Sequence, residues 1–347
     1  MATPAIGTRR ASREAASAEA RVAPAVTSIG WTAAAVALGL QAFAPAVVER
    51  YALWPLLLGI VLIGLPHGAL DHLVPARIGL PWARRPLPFA AFLALYVAAA
   101  GAYGLVWWTA PTTAFVGFLA LTIWHWGQGD QRFLEIFLGR GRTALAGSLV
   151  TILTRGALPV LVPVLAFPAA ADDLFRRATG ALGLEVAGWS IGDPRVGTAL
   201  AVLLLALLAG YVPTALRAAR DRTGAWIDLG EVGLLILVFA LVPAYAAIGI
   251  YFLAWHSLRH LARLLLLRPN DAEAVRRGRT ARPVGRFALD LLPITLAALA
   301  ILAGLAAWAE PNLTSVDDFV ALYLVLISAL TVPHAAVVAA MDARRRV

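Results

Sequence analysis

Ten apolar stretches recur along this chain of 347 residues, most of them near the ~20 residues an α-helix needs to cross a hydrocarbon core about 30 Å thick. They lie at 27–44, 51–74, 87–109, 112–138, 145–170, 196–216, 229–242, 244–267, 287–308 and 319–341. A backbone in lipid has to satisfy its own hydrogen bonds, so such runs are expected as helices packed into a bundle. The expected fold is therefore all-α, a polytopic transmembrane helical bundle that is multi-pass in the cell membrane. The seventh run is short and ends at Pro243; if it is broken or re-entrant, the number of spanning helices falls to eight or nine. Only 14% of residues are charged and 61% are hydrophobic, against about a quarter charged in soluble globular chains, which excludes that class. Residues 1–26 are small, polar and arginine-containing, without the apolar core of a signal peptide. They are expected to form a disordered cytoplasmic tail ahead of one membrane-embedded domain at 27–347.

The net charge of +9 comes entirely from arginine, since the chain has no lysine. With ten segments, 21 arginines fall in the tails and loops of one side, against four (Arg50, Arg176, Arg177 and Arg195) on the other. Positive charge in short loops marks the cytoplasmic side, so both termini are expected there. The loop at 268–286 is the most basic and suits anionic headgroups; the external connection at 171–194 is long enough for a short surface helix. No basic stretch is interleaved with stacking aromatics, so membrane lipid and not nucleic acid is the expected partner. Cysteine is absent, which removes disulfides, thiolate-held zinc and iron–sulfur clusters and leaves His, carboxylate or water to hold any metal.

All six histidines, His67, His72, His125, His256, His260 and His334, fall in the second, fourth, eighth and tenth segments, which run in the same direction. Counted from the segment starts at 1.5 Å per residue, all but His72 differ in depth by about one helical turn and can converge on one layer in the cytoplasmic half of the bilayer. Ionisable groups at that depth are kept where they pair, bind a metal or line a pathway. His256 and His260 stand four apart and present two imidazoles on one helix face, the usual helical way to chelate a metal. Interhelical hydrogen bonding is the competing reading of that pair. His67 and His125 at similar depth favour the metal, and imidazoles without sulfur suit Fe(II), Cu(II) or Zn(II).

Pro66 is expected to kink the helix where His67 projects. Asp71 shares a helix face with His67, and Asp130 lies slightly more than one turn beyond His125. Either carboxylate can accept a ring N–H and fix a tautomer, or pair with Arg259 or Arg263. His334 follows Pro333 as His67 follows Pro66, and spacing leaves it as a ligand, a residue that orients one, or part of a pathway. His72 is off the His67 face and reads as an interfacial hydrogen-bonding residue. Trp124, Trp126, Tyr251, Phe252 and Trp255, with Trp107 and Trp108, are candidates to line a cleft for an elongated apolar ligand, against ordinary packing and an interfacial belt. No HExxH, P-loop, G-x-S-x-G or dinucleotide-binding pattern occurs.

Gly64-Leu65-Pro66-His67-Gly68-Ala69-Leu70-Asp71-His72, Trp124-His125-Trp126-Gly127-Gln128-Gly129-Asp130, Trp255-His256-Ser257-Leu258-Arg259-His260 and Val332-Pro333-His334 together resemble the Brp/Blh (bacteriorhodopsin-related protein) family, in order and across most of the chain. That resemblance implies a membrane-embedded beta-carotene 15,15'-dioxygenase, an oxidoreductase that uses O2 to cleave the central double bond of beta-carotene into two molecules of all-trans-retinal. It also implies an Fe(2+) cofactor associated with His67, His125, His256 and His260, and a link to microbial rhodopsins that use retinal. From the residues alone, a non-catalytic carotenoid or retinal carrier, or a transporter relaying protons through intramembrane histidines, is the alternative.

Overall fold

A computed structural model describes residues 6–180, 190–309 and 315–344. Among these, every regular element is helical. In chain order the helices that matter here are α1 (Ile6–Phe43), α2 (Leu53–Arg77), α3 (Pro86–Thr109), α4 (Pro111–Phe137), α5 (Leu145–Ala166), α6 (Pro168–Gly180), α7 (Pro194–Ala218) and α8 (Arg222–Leu241). They are followed by α9 (Ala244–Tyr251, running on through Phe252–His256 and Ser257–Leu265), α10 (Pro269–Arg276), α11 (Ala281–Ala309) and α12 (Val316–Arg344). Among the described residues, eight helices are long and apolar enough to cross a membrane: α1 from Ala18, then α2, α3, α5, α7, α8, α11 and α12. The remaining two apolar runs form α4 and α9, which carry Asp130, Arg132, Arg259 and Arg263, all buried.

The helix starts follow local chemistry. Proline occupies the first turn of α3, α4, α7 and α10, where its missing N–H costs nothing. Asp221 caps α8 by accepting from Gly224 N at 2.7 Å. α6 is the surface helix expected in the connection at 171–194, whose residues 181–189 lie outside the described ones.

Two expectations need correcting. The seventh run is neither short nor broken: α8 has 20 residues and starts at Arg222. The turns it adds before residue 229 look like loop because they contain Arg222, Gly224 and Asp228, yet Asp228 is buried, as is Glu231 just beyond it, and both are ion-paired to Arg155. The stretch read as a disordered tail is helical from Ile6, residues 1–5 lying outside the described chain. Ala18, Ala23 and Val26 are buried there against a cluster containing Phe133, Phe137, Ala262 and Val275. Small side chains spaced along one face let α1 lie flat on α4, α9 and α10, a pattern that composition alone reads as low hydrophobicity.

Lipid tails are as apolar as leucine, so helix association in such a bundle rests on close packing and interhelical hydrogen bonds. The tightest crossing joins α4 to α5: a Cβ on Gly127 would collide with the Ile152 carbonyl, and one on Gly156 with the Ile123 carbonyl. Gly249 of α9 likewise lies against the backbone of Pro55 and Leu56 in α2. The first contact fixes α4 on α5 and the second fixes α9 on α2; α9 also packs on α4, and α12 closes the group by packing on α3, α4 and α6.

Candidate metal centre

Two π turns aim the first imidazoles. In α2 the turn at Ile60–Gly64 lets Leu65 N donate to Ile60 O, five residues back, directly before Pro66. Proline removes a donor and crowds the preceding turn, and the wider π turn accommodates it. In α9 the turn at Phe252–His256 does the same, with Ser257 N donating to Phe252 O. Each turn ends at or just before a histidine, His67 in α2 and His256 in α9, so each shifts that ring out of the register a plain α-helix would give it.

The structure brings five of the six histidines together, all buried: His67 from α2, His125 from α4, His256 and His260 from α9, and His334 from α12. Ring centroids of His334 lie 4.8 Å from those of both His67 and His125 and 5.3 Å from that of His260. His256 is 5.1 Å from His125 and 5.7 Å from His67, and His260 is 5.9 Å from His67. His67, His125 and His334 form the closest trio, each offering a nitrogen within 4.8 Å of the others. His334, whose role spacing left open, thus stands in the middle of the group. His72 is apart, half-buried, with Nδ1–H donating to Ala69 O at 2.9 Å.

The ring nitrogens face inward without partners. Nε2 of His125, His256, His260 and His334 makes no hydrogen bond, nor does Nδ1 of His125. His67 Nδ1 bonds the Gly64 carbonyl, and His334 Nδ1 donates to Asp71 Oδ2 at 2.8 Å. Both bonds put the proton on Nδ1 and leave Nε2 as a lone pair directed at the group, the arrangement in which an outer partner orients a metal-binding imidazole. Buried polar atoms are rarely left unpaired, and so many converging nitrogens fit a bound metal ion.

The structure gives each carboxylate its partners. Asp71 serves His334, not His67, and also accepts from Tyr96 Oη at 2.8 Å. The reason is local: the helix stops at Gly68, and Asp71 begins a 3₁₀ turn, so the four-residue spacing to His67 no longer means a shared face. Asp130 is directed away from His125 and pairs with Arg259, one of the alternatives, and with Arg155, which sequence reasoning passed over. Arg155 is fully buried. Its Nε donates to Tyr211 Oη at 2.8 Å and its Nη2 to Asp228 at 2.7 Å and Glu231 at 3.0 Å, while Nη1 reaches Asp130. Arg259 Nη2 reaches Glu231 at 2.5 Å and its guanidinium lies 4.2 Å from the Trp255 ring centroid. Arg263 pairs instead with Asp342, which also accepts from Gln128 Nε2 at 3.1 Å and so ties α12 to α4 and α9. A solitary arginine inside an apolar run was the signal available for Arg155. Asp342, so near the chain end, gave none.

Two apolar cavities reach the histidines. The first, about 310 Å³, touches His67 and His125 and is walled by Phe115, Phe118, Trp126, Phe252 and Tyr323 among others. The second, about 350 Å³, touches His67, Asp71, His72 and His334 and lies between Leu93, Tyr96 and Val97 of α3 and Ile294, Ala297 and Ile301 of α11. Of the aromatic candidates, Trp126 and Phe252 line the first cavity. Tyr251 packs behind Trp126 at 5.2 Å, and Trp255 faces Arg259 and donates to Asp130 at 3.3 Å. Trp124 is 40% exposed and turned off the cavity, because neighbouring positions on a helix point to different faces. Trp107 is buried and donates to Ser328 at 2.6 Å; Trp108 is largely exposed.

A family model for beta-carotene 15,15'-dioxygenase matches residues 58–342, which include every histidine and both carboxylates described above. The chain belongs to the beta-carotene 15,15'-dioxygenase family. It is 37% identical over 337 residues to the probable beta-carotene 15,15'-dioxygenase Blh of Halobacterium salinarum, covering 91% of each chain. To the probable beta-carotene 15,15'-dioxygenase Brp of that species it is 31% identical over 220 residues, 60% of this chain and 57% of Brp. A beta-carotene 15,15'-dioxygenase from an uncultured marine bacterium is 30% identical over 128 residues, 32% of this chain and 46% of that one. No solved structure matches the chain. For this member of the beta-carotene 15,15'-dioxygenase family the structure supplies what the motifs alone did not: His334 as the ring that joins the others, and Asp71 and Tyr96 behind it.

Proposed function

We propose that this protein is a non-haem iron dioxygenase of the cell membrane that cleaves beta-carotene at its central 15,15' double bond with O2, giving two molecules of all-trans-retinal. The observation that carries this reading is the group of inward-facing, unpaired imidazole nitrogens at the wall of apolar cavities, in a chain whose relatives are named for that reaction. His67, His125 and His334 would hold Fe(2+), with His256 and His260 completing the shell. Iron so bound supplies the redox chemistry that brings O2 onto an alkene, and no external reductant is needed because both oxygen atoms end in the two aldehydes.

The chain's own part is binding and positioning. Gly64 O and Asp71 hold His67 and His334 in the tautomer that presents Nε2 inward. Phe115, Phe118, Trp126 and Phe252 offer aromatic faces to a conjugated chain, and the apolar walls exclude water that would divert activated oxygen. The substrate arrives from lipid, and the product is the chromophore of microbial rhodopsins.

Co-expression in a beta-carotene-producing host tests the reading. Retinal should accumulate, and the purified protein should hold about one iron and consume O2. Protein that retains carotenoid without iron, O2 uptake or retinal would make it a carrier. We further propose that both termini are cytoplasmic: an impermeant thiol reagent on intact cells should label Ala169→Cys in α6 and spare Thr280→Cys before α11, and the reverse pattern inverts the orientation.

A further inference from the structure

The two cavities are walled by different residues except at one place, where His67, Ile327 and Thr331 border both. His125 touches only the first cavity and His334 only the second. The closest histidine trio therefore stands at the junction, one ring toward each space and His67 between them. Ile327 and Thr331 are four residues apart on α12 and share one face, a turn before His334. Thr331 spends its hydroxyl on its own helix, donating to Ile327 O at 2.6 Å, which leaves a methyl group as what the side chain has to offer an apolar guest. Each cavity, at about 310 and 350 Å³, lies near the lower end of the ~300–1,000 Å³ usual for small-molecule sites. The second opens toward the outside of the bundle, where Ile294 is 43% and Ile301 54% exposed.

We propose that the two cavities are the two arms of one substrate channel, and that Ile327 and Thr331 form with His67 the collar that fixes which double bond of the polyene stands at the histidines. The proposal rests on the carotenoid-cleavage reading above and adds to it the residues that set the position of the cut. A long molecule that fills both arms must pass the collar, and two arms of nearly equal volume place its middle there. The lateral arm between α3 and α11 meets the lipid, and the arm walled by Phe115, Phe118 and Phe252 takes the other half. A tight collar admits a flat conjugated chain and resists sliding by one double bond. Removing its methyl groups removes that resistance, and a methylene in an apolar pocket discriminates by about 10-fold or more.

The test compares the I327A/T331A double variant and Thr331→Phe with the native protein in the carotenoid-producing host. The double variant should keep its iron and still cleave, but release pairs of apocarotenals of unequal length beside retinal, with retinal's share falling by about 10-fold relative to the unequal products. Thr331→Phe should fill the collar, so that the purified protein keeps its iron but no longer retains beta-carotene by its visible absorbance. A double variant that yields retinal alone at native KM, or Thr331→Phe that retains and cleaves beta-carotene as the native protein does, overturns the collar. Should Thr331→Phe lose its iron, the product pattern of the double variant decides. Native protein that makes no retinal refutes the cleavage reading itself, an outcome separate from either variant's.

Discussion

Two buried polar clusters share α4 and α9 and are built in opposite ways. Around Arg155 every guanidinium nitrogen has an acceptor, and Asp130, Asp228 and Glu231 are matched by Arg155, Arg259 and Arg140. Around His334 the rings meet edge to face, and Nε2 of His125, His256, His260 and His334 bonds nothing. An unpaired buried polar atom costs on the order of 1–3 kcal/mol, so the first cluster is complete as protein and the second asks for something more. The difference separates scaffold from chemistry: Arg155 fixes how α4, α5, α7, α8 and α9 sit, and the histidines use that rigidity to hold lone pairs apart.

The comparison breaks most completely at the histidines. His67→Ala, His125→Ala and His334→Ala should each abolish retinal formation and strip the iron, measured by product analysis and metal content. His256→Ala and His260→Ala should lower both. His334→Ala behaving as native protein would restore the set chosen by spacing alone. Next comes Arg155→Leu, which leaves three buried carboxylates, Asp130, Asp228 and Glu231, to share Arg259 and Arg140. Breaking a buried pair costs about 3–5 kcal/mol, so this variant should unfold earlier in detergent melts, and an unchanged melt would make the network ornamental.

Asp71→Asn lies between the clusters in kind, a bonded carboxylate that serves an unbonded ring. It should lower iron affinity by ~10–100-fold with little change in the melting profile, as loss of an orienting partner does. Equal loss of stability and iron would class Asp71 with Arg155 instead. The smallest effect belongs to His72→Gln, because that ring bonds only the Ala69 carbonyl and stands outside the group; iron content and melting should match the native protein.

Much of this was legible in the sequence, because the properties involved are periodic or additive. Apolar runs announce helices, and counting residues from their ends aligned five histidines in depth without coordinates. The partners of those histidines were not legible, since partner choice depends on where a helix breaks. Asp71 reads as the neighbour of His67 only if the α-helix continues past Gly68, and it does not. The seventh run looked short because Asp228, just before it, resembles a loop residue until Arg155 is seen beside it. Trp255 read as a cavity aromatic because its neighbours are, although its own face turns toward Arg259.

The π turns carry a consequence for how such a chain can change over generations. Each holds one residue more than the surrounding α-helix requires. Loss of a single codon within 60–64 would leave a run still apolar and long enough to insert. It would also close the wide turn to an ordinary α turn, so His67 would keep nearly its present direction relative to the first half of α2, the extra residue being what the turn absorbs. The same holds for His256 and codons 252–256. A lineage could thus shed either turn in one genetic step while its hydropathy profile stayed unaltered and its histidines still met, and descendants of that kind would be recognised by counting residues across those two turns.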